Sequence, residues 1–137
     1  MPDAKLTELG PNPSPLEVVK AFLKDWELGF VPAFDRWLHP DCLWTNAGQP
    51  DCRGKAEIDA LLNEYLEVSK MPYGRVDLIS VATTGNKVLT ERIDNLYGEA
   101  GEGADKHALP IMGIFEVNDG LITRYSDYCD PTPFKPK

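Results

Sequence analysis

The sequence predicts an α+β fold in the order α-α-β-α-β-β-β-β, helices first and then an antiparallel meander. Apolar residues recur at helical spacing up to Ser69, and the period switches to that of strands after Met71-Pro72. Two hairpin turns, Thr84-Gly85-Asn86 and Asn118-Asp119-Gly120, punctuate the second half. N-terminal helices packed on the concave face of such a curved, mostly antiparallel sheet close a cone-shaped barrel with a pocket inside. A chain of 137 residues, 42% of them hydrophobic, is enough for one domain with its own core.

Residues 1–13 are polar, carry prolines and show no periodicity, so they read as a flexible leader. Ser14-Pro15-Leu16-Glu17 then supplies a helix cap, a proline suited to the first turn and a capping-box glutamate. Leu16, Val19, Phe22, Leu23 and Trp26 follow at helical spacing, and Gly29 ends the helix after Leu28. Pro32 opens a shorter helix with Phe34, Trp37 and Leu38 facing inward, which His39-Pro40-Asp41 stops. Cys42–Asn46 reads as a short strand, and Ala47–Asp51 as a turn. A third helix, Lys55–Ser69, buries a stripe of Ile58, Leu61, Leu62, Tyr65, Leu66 and Val68. Strands follow at Arg75–Thr83, Lys87–Tyr97, His107–Val117 and Leu121–Cys129, with a Gly-rich loop over 98–105. The domain therefore spans 14–130, and the proline-rich 131–137 is a tail.

Fourteen basic against twenty-two acidic residues leave a net charge of −8, which repels nucleic-acid phosphates and anionic membrane faces. No apolar run approaches the roughly 20 residues of a membrane span. Three cysteines, Cys42, Cys52 and Cys129, without CxxC spacing, and a start lacking signal-peptide character, point to the reducing cytoplasm. His39 and His107 lie at element ends without ligand spacing, so neither suggests a metal.

The strand Lys87–Tyr97 is the informative one. Side chains two apart share a face, so Val88, Thr90, Arg92, Asp94 and Leu96 point one way. Arg92 and Asp94 there are either an ordinary solvated pair or a buried ion pair. The last strand places Leu121, Thr123, Tyr125, Asp127 and Cys129 together. If both sets face inward, two carboxylates flank one guanidinium in a water-poor pocket. Burial and mutual repulsion raise the carboxylates' pKa and the guanidinium lowers it, which can leave one protonated and one ionised. Leu109, Ile111, Gly113 and Phe115, with Leu23, Trp26, Leu96 and Tyr125, would line a cavity for a small hydrophobic molecule, or simply pack as core. Cys129 has no base placed to activate it.

Val88-Leu89-Thr90-Glu91-Arg92-Ile93-Asp94, taken with Gly120-Leu121-Ile122-Thr123-Arg124-Tyr125-Ser126-Asp127-Tyr128-Cys129-Asp130, resembles the limonene-1,2-epoxide hydrolase family. That family has an E-R-x-D strand and a closing G-x-I-x-x-W-R-D-Y-F-D strand, on the cone fold shared with nuclear transport factor 2. The likeness runs back through Trp44-Thr45-Asn46, where the family has Tyr-x-Asn, and covers most of residues 16–130. It implies one-step hydrolysis of a small, mainly apolar epoxide without metal or covalent intermediate. Asp127 falls on the family's general base, Asp94 on its general acid, Arg92 on the arginine bridging them and Asn46 on the amide that orients water. Trp44 stands where the family has a water-holding tyrosine, and an indole can donate but not accept a hydrogen bond; Trp44 also reads as a core aromatic and Asn46 as a turn former. The resemblance further implies a homodimer paired through the sheet's outer face, with Ile93, Tyr97 and Ile114 outward. Two other functions are compatible with the cone: an isomerase or cyclase like the ketosteroid isomerases and polyketide cyclases (epoxide-opening cyclases included), and a non-catalytic binder of a small hydrophobic ligand.

Overall fold

The computed structural model describes residues 5–104 and 106–130, and the proline-rich tail lies outside them. The elements are α1 (Pro15–Asp25), a 3-10 turn (Trp26–Leu28), α2 (Phe30–Trp37), β1 (Leu38–Asn46), β2 (Cys52–Arg53), α3 (Lys55–Ser69), β3 (Tyr73–Thr84), β4 (Lys87–Tyr97), β5 (Lys106–Asn118) and β6 (Leu121–Tyr128). One sheet runs in the order β2-β1-β6-β5-β4-β3. Its pairs are antiparallel except β1 with β6, which run parallel. This is the α+β cone expected, curved and closed by helices. Among the described residues, no helix is long and apolar enough to cross a membrane.

Local chemistry explains the boundaries. The Ser14 side chain accepts from the Glu17 amide while the Glu17 carboxylate accepts from the Ser14 amide, closing the capping box at the start of α1. At the β5–β6 turn Asp119 and Gly120 both take positive φ, 53° and 78°, as a tight type I′ hairpin needs. Phe22, Leu23 and Trp26 from α1 and the turn after it meet Phe30, Phe34 and Trp37 of α2 over the sheet, forming an aromatic core.

Several details differ from the sequence expectation. Cys52–Arg53 pairs with Leu43 and Trp44 as the short edge strand β2, where the sequence predicts no strand. α2 starts at Phe30 rather than Pro32, because a proline in the first helical turn gives up an amide that has no partner there anyway. β1 starts at Leu38 and runs through Pro40: its pairing to β6 jumps from Leu38–Ile122 to Leu43–Arg124, and this bulge absorbs the residue that cannot donate. A second bulge between Glu116 and Val117 shifts β6 by one residue, so Ile122, not Thr123, enters the core, whereas Tyr125 and Asp127 keep their inward face. Val68 stands 83% exposed at the end of α3.

The expected leader is held down over part of its length. The Thr7 amide and hydroxyl donate to the Asp25 carboxylate at 2.7–3.1 Å, and Leu9 packs on the core. The Trp37 indole donates to the same buried carboxylate at 2.7 Å. A hydrophobicity pattern does not reveal a strap held by polar bonds to one buried acid. Asp25→Ala leaves the indole and the Thr7 amide without an acceptor, so unfolding free energy falls by about 2–3 kcal/mol. A urea midpoint equal to wild type would refute that.

Candidate active site

Strand register brings the expected residues together in rows on the concave face. Thr90 pairs with Gly113, Gly113 with Asp127, and Asp127 with Asn46, one row across β4, β5, β6 and β1. The next row is Val88, Phe115, Tyr125 and Trp44. On β4 all five residues expected inward, Val88, Thr90, Arg92, Asp94 and Leu96, are buried. The solvated reading of Arg92 and Asp94 is thereby excluded.

Arg92 is fully buried and holds the group together. Its Nε and Nη2 donate to Asp94 Oδ1 and Oδ2 at 2.8 and 3.2 Å, and Nη2 also donates to Asp127 Oδ2 at 2.7 Å. Nη1 donates to Thr90 Oγ1 at 3.0 Å, and that hydroxyl donates to the Gly113 carbonyl at 3.2 Å. The guanidinium carbon also lies 5.8 and 5.6 Å from the Trp26 and Phe115 ring centres. Every guanidinium nitrogen is thus engaged, which a buried cation requires. Asp127 Oδ1 is different: it is buried and makes no hydrogen bond.

Gly113 makes this cluster possible. A Cβ there would come within 2.4 Å of Arg92 Nη1 and 2.5 Å of Asp127 Oδ1. Thr90 and Gly113 were legible as inward residues, but not as parts of the site. The available signals were Thr90's parity with Arg92, and a glycine inside a strand, which often marks close approach.

The two carboxylates are not equivalent. Burial, opposed by Arg92 and reinforced by Asp127, pushes Asp94 up to about 6. For Arg92, burial works against the charge, but the two carboxylates outweigh it and hold the proton more firmly than usual. The cluster can therefore present a protonated carboxyl and an open carboxylate oxygen on either side of one cation.

Trp44 and Tyr125 are buried, their rings stacked 5.9 Å apart at 13°; the Trp44 Nε1 is buried without a partner. Asn46 is half-buried beside Asp127. Of the residues expected to line a cavity, Leu23, Trp26, Leu96 and Tyr125 belong to the core cluster, with Leu109 packed against it. Ile111 is buried next to Arg92 in register. A surface cavity of about 210 Å³ is bounded by Phe34, Leu38, His39, Lys55 and Ile58, and one of about 170 Å³ by Ile79, Ile93, Met112 and Tyr128, with Arg92 and Ile111 also on its lining. His39 Nδ1 accepts the Asp41 amide, and among the described residues no three or more His, Cys, Asp or Glu side chains cluster to hold a metal.

The SnoaL-like domain family matches residues 19–125. Epoxide hydrolase EphG of Mycobacterium tuberculosis is 30% identical over 135 residues, covering 93% of this chain and 83% of its own. A solved limonene-epoxide-hydrolase-like enzyme of M. tuberculosis superposes with a TM-score of 0.68 at 29% identity, over 86% of this chain and 79% of that one. A candidate polyketide cyclase from Pseudomonas putida KT2440 reaches 0.70 at 21% identity, over 90% and 96% of the two chains, which is a likeness of fold alone. The chain belongs to the SnoaL-like family on the nuclear transport factor 2 cone, as a homologue of its epoxide hydrolases.

Proposed function

We propose that the protein is a cofactor-independent hydrolase that opens a small, mainly apolar epoxide to a vicinal diol in one step. The observation that carries this reading is the Asp94–Arg92–Asp127 cluster, with one carboxyl raised toward neutrality and one carboxylate oxygen unengaged. Asp127 Oδ1 takes a proton from water as the water oxygen bonds to an epoxide carbon. The carbon–oxygen bond of the ring breaks, and its oxygen takes the Asp94 proton. Arg92 keeps the two groups in register and offsets the charge moving between them. Asn46, adjacent to Asp127, orients the water. Trp44 is a wall of the site that can offer an N–H, and Leu23, Trp26, Leu96, Leu109, Ile111 and Tyr125 give the substrate an apolar surround. The homology to EphG supports the reaction class.

The same reading places the enzyme in the reducing cytoplasm, where its cysteines stay as free thiols, and pairs two copies through the sheet's outer face. Ile79, Met112 and Tyr128 are each more than half exposed there and border one cavity with Ile93. These are more open than Ile93, Tyr97 and Ile114, the outward residues expected from the sequence. Met112→Glu is expected to convert a dimer to monomer in light scattering, and a wild type that is already monomeric would refute the pairing.

Incubation with terpene, cyclohexene and styrene oxides tests the chemistry. Diol is expected from wild type, with the rate about 10²–10⁴ lower in Asp127→Asn. No diol from any epoxide, with proton exchange beside a ketone instead, would favour the isomerase or cyclase reading; binding of an apolar dye with neither activity would favour a binder.

The raised Asp94 carboxyl sets two pH dependences. The acid must carry its proton, so kcat is expected to fall as pH rises through about 6. The folded form also holds that proton more tightly than the unfolded chain, whose aspartates titrate near 3.9. The resulting stability is full below about 4, is lost as pH rises through about 6 and is level thereafter. Asp94→Asn should remove that sloping component from urea midpoints recorded between pH 4 and 7; an unchanged slope would refute the assignment.

A further inference from the structure

Asp127 has one oxygen on Arg92 and one that makes no hydrogen bond, so the water it activates must be held by something besides the base. A water attacking through one lone pair has two protons. One goes to the base, and the other needs an acceptor that fixes the direction of attack. Trp44 cannot be that acceptor, because its indole N–H only donates, and Asn46 orients the water through its amide NH2, which donates to the lone pair not used in the attack.

One hydroxyl shares the face of that base. Tyr125 and Asp127 are two apart on β6 and share the concave face, and Trp44 and Asn46 stand opposite them on β1. The Tyr125 ring is clamped between Phe115 (5.0 Å, 9°) and Trp44 (5.9 Å, 13°), with Phe22 and Phe34 against it at 5.4 and 6.1 Å. A ring gripped on both faces has its hydroxyl fixed by packing alone, before any water or substrate arrives.

We propose that Tyr125 is the positioning residue for the nucleophile: its hydroxyl oxygen accepts the water proton that does not go to Asp127. The proposal rests on the hydrolase reading above and adds to it the second anchor of the water. Burial, and after it the Asp127 carboxylate, raise the Tyr125 hydroxyl well above the ordinary phenol range. The hydroxyl thus keeps its own proton through the step. Atoms balance as before, since Tyr125 neither gains nor loses a proton over the step.

The test uses Tyr125→Phe, which keeps the stacked ring and removes only the oxygen. With an epoxide that the wild type hydrolyses, kcat is expected to fall about 10²-fold at nearly constant KM, the pattern for a group that aims the nucleophile rather than binding substrate. A readout independent of turnover is the Tyr125 hydroxyl proton in the NMR spectrum. It is expected as a slowly exchanging resonance, absent in Tyr125→Phe and shifted in Asp127→Asn. An active wild type whose Tyr125→Phe variant keeps kcat overturns this proposal alone, as does a hydroxyl resonance indifferent to Asp127→Asn. A wild type inactive on every epoxide overturns the hydrolase reading and the proposal with it.

Discussion

One buried cation organises this molecule. A guanidinium removed from water is costly, and it is tolerated because two carboxylates, a hydroxyl and two aromatic faces surround it. Each of those groups is in turn constrained by the cation. Asp94 is held on both oxygens and Asp127 on one, and Thr90 is turned so that its hydroxyl accepts from Arg92 and donates to a strand carbonyl. The asymmetry of the two carboxylates follows from this. Asp94 is enclosed, whereas Asp127 keeps a free oxygen.

The sheet was legible in the sequence because its signals are local. Alternation along β4 put Arg92 beside Asp94 on a named face, and the Asn118-Asp119-Gly120 turn aligned β5 with β6. The parallel closure of β1 on β6 had no such signal, since nothing near Trp44 or Asn46 in the chain says that the last strand will lie beside them. The bulges in β1 and β6 were equally hidden, because they answer to a proline and a register elsewhere in the sheet. Resemblance to a family supplied what periodicity could not, namely that Asn46 and Asp127 would be neighbours.

Thr90 and Gly113 show a different limit. Both were placed on the right face, but their purpose depends on distances across strands: one hydroxyl within reach of a guanidinium, and one absent methyl group beneath two charged atoms. Such roles become visible only when three strands are seen side by side. The Asp25 strap is a further case, in which a segment with no hydrophobic pattern is ordered by polar bonds to a single acid.

The contact between Thr45 and Ser126 spans 81 positions of the chain and sits in the seam where β1 meets β6. Helices and hairpins can assemble from neighbours in sequence, but that seam must wait until the whole intervening stretch has found its place. The hairpin side already carries the arginine and both acids; what arrives with the seam is the wall bearing the amide and the indole. The candidate site is thus incomplete in a half-folded polypeptide, and it is whole only when the most distant parts of the chain have met.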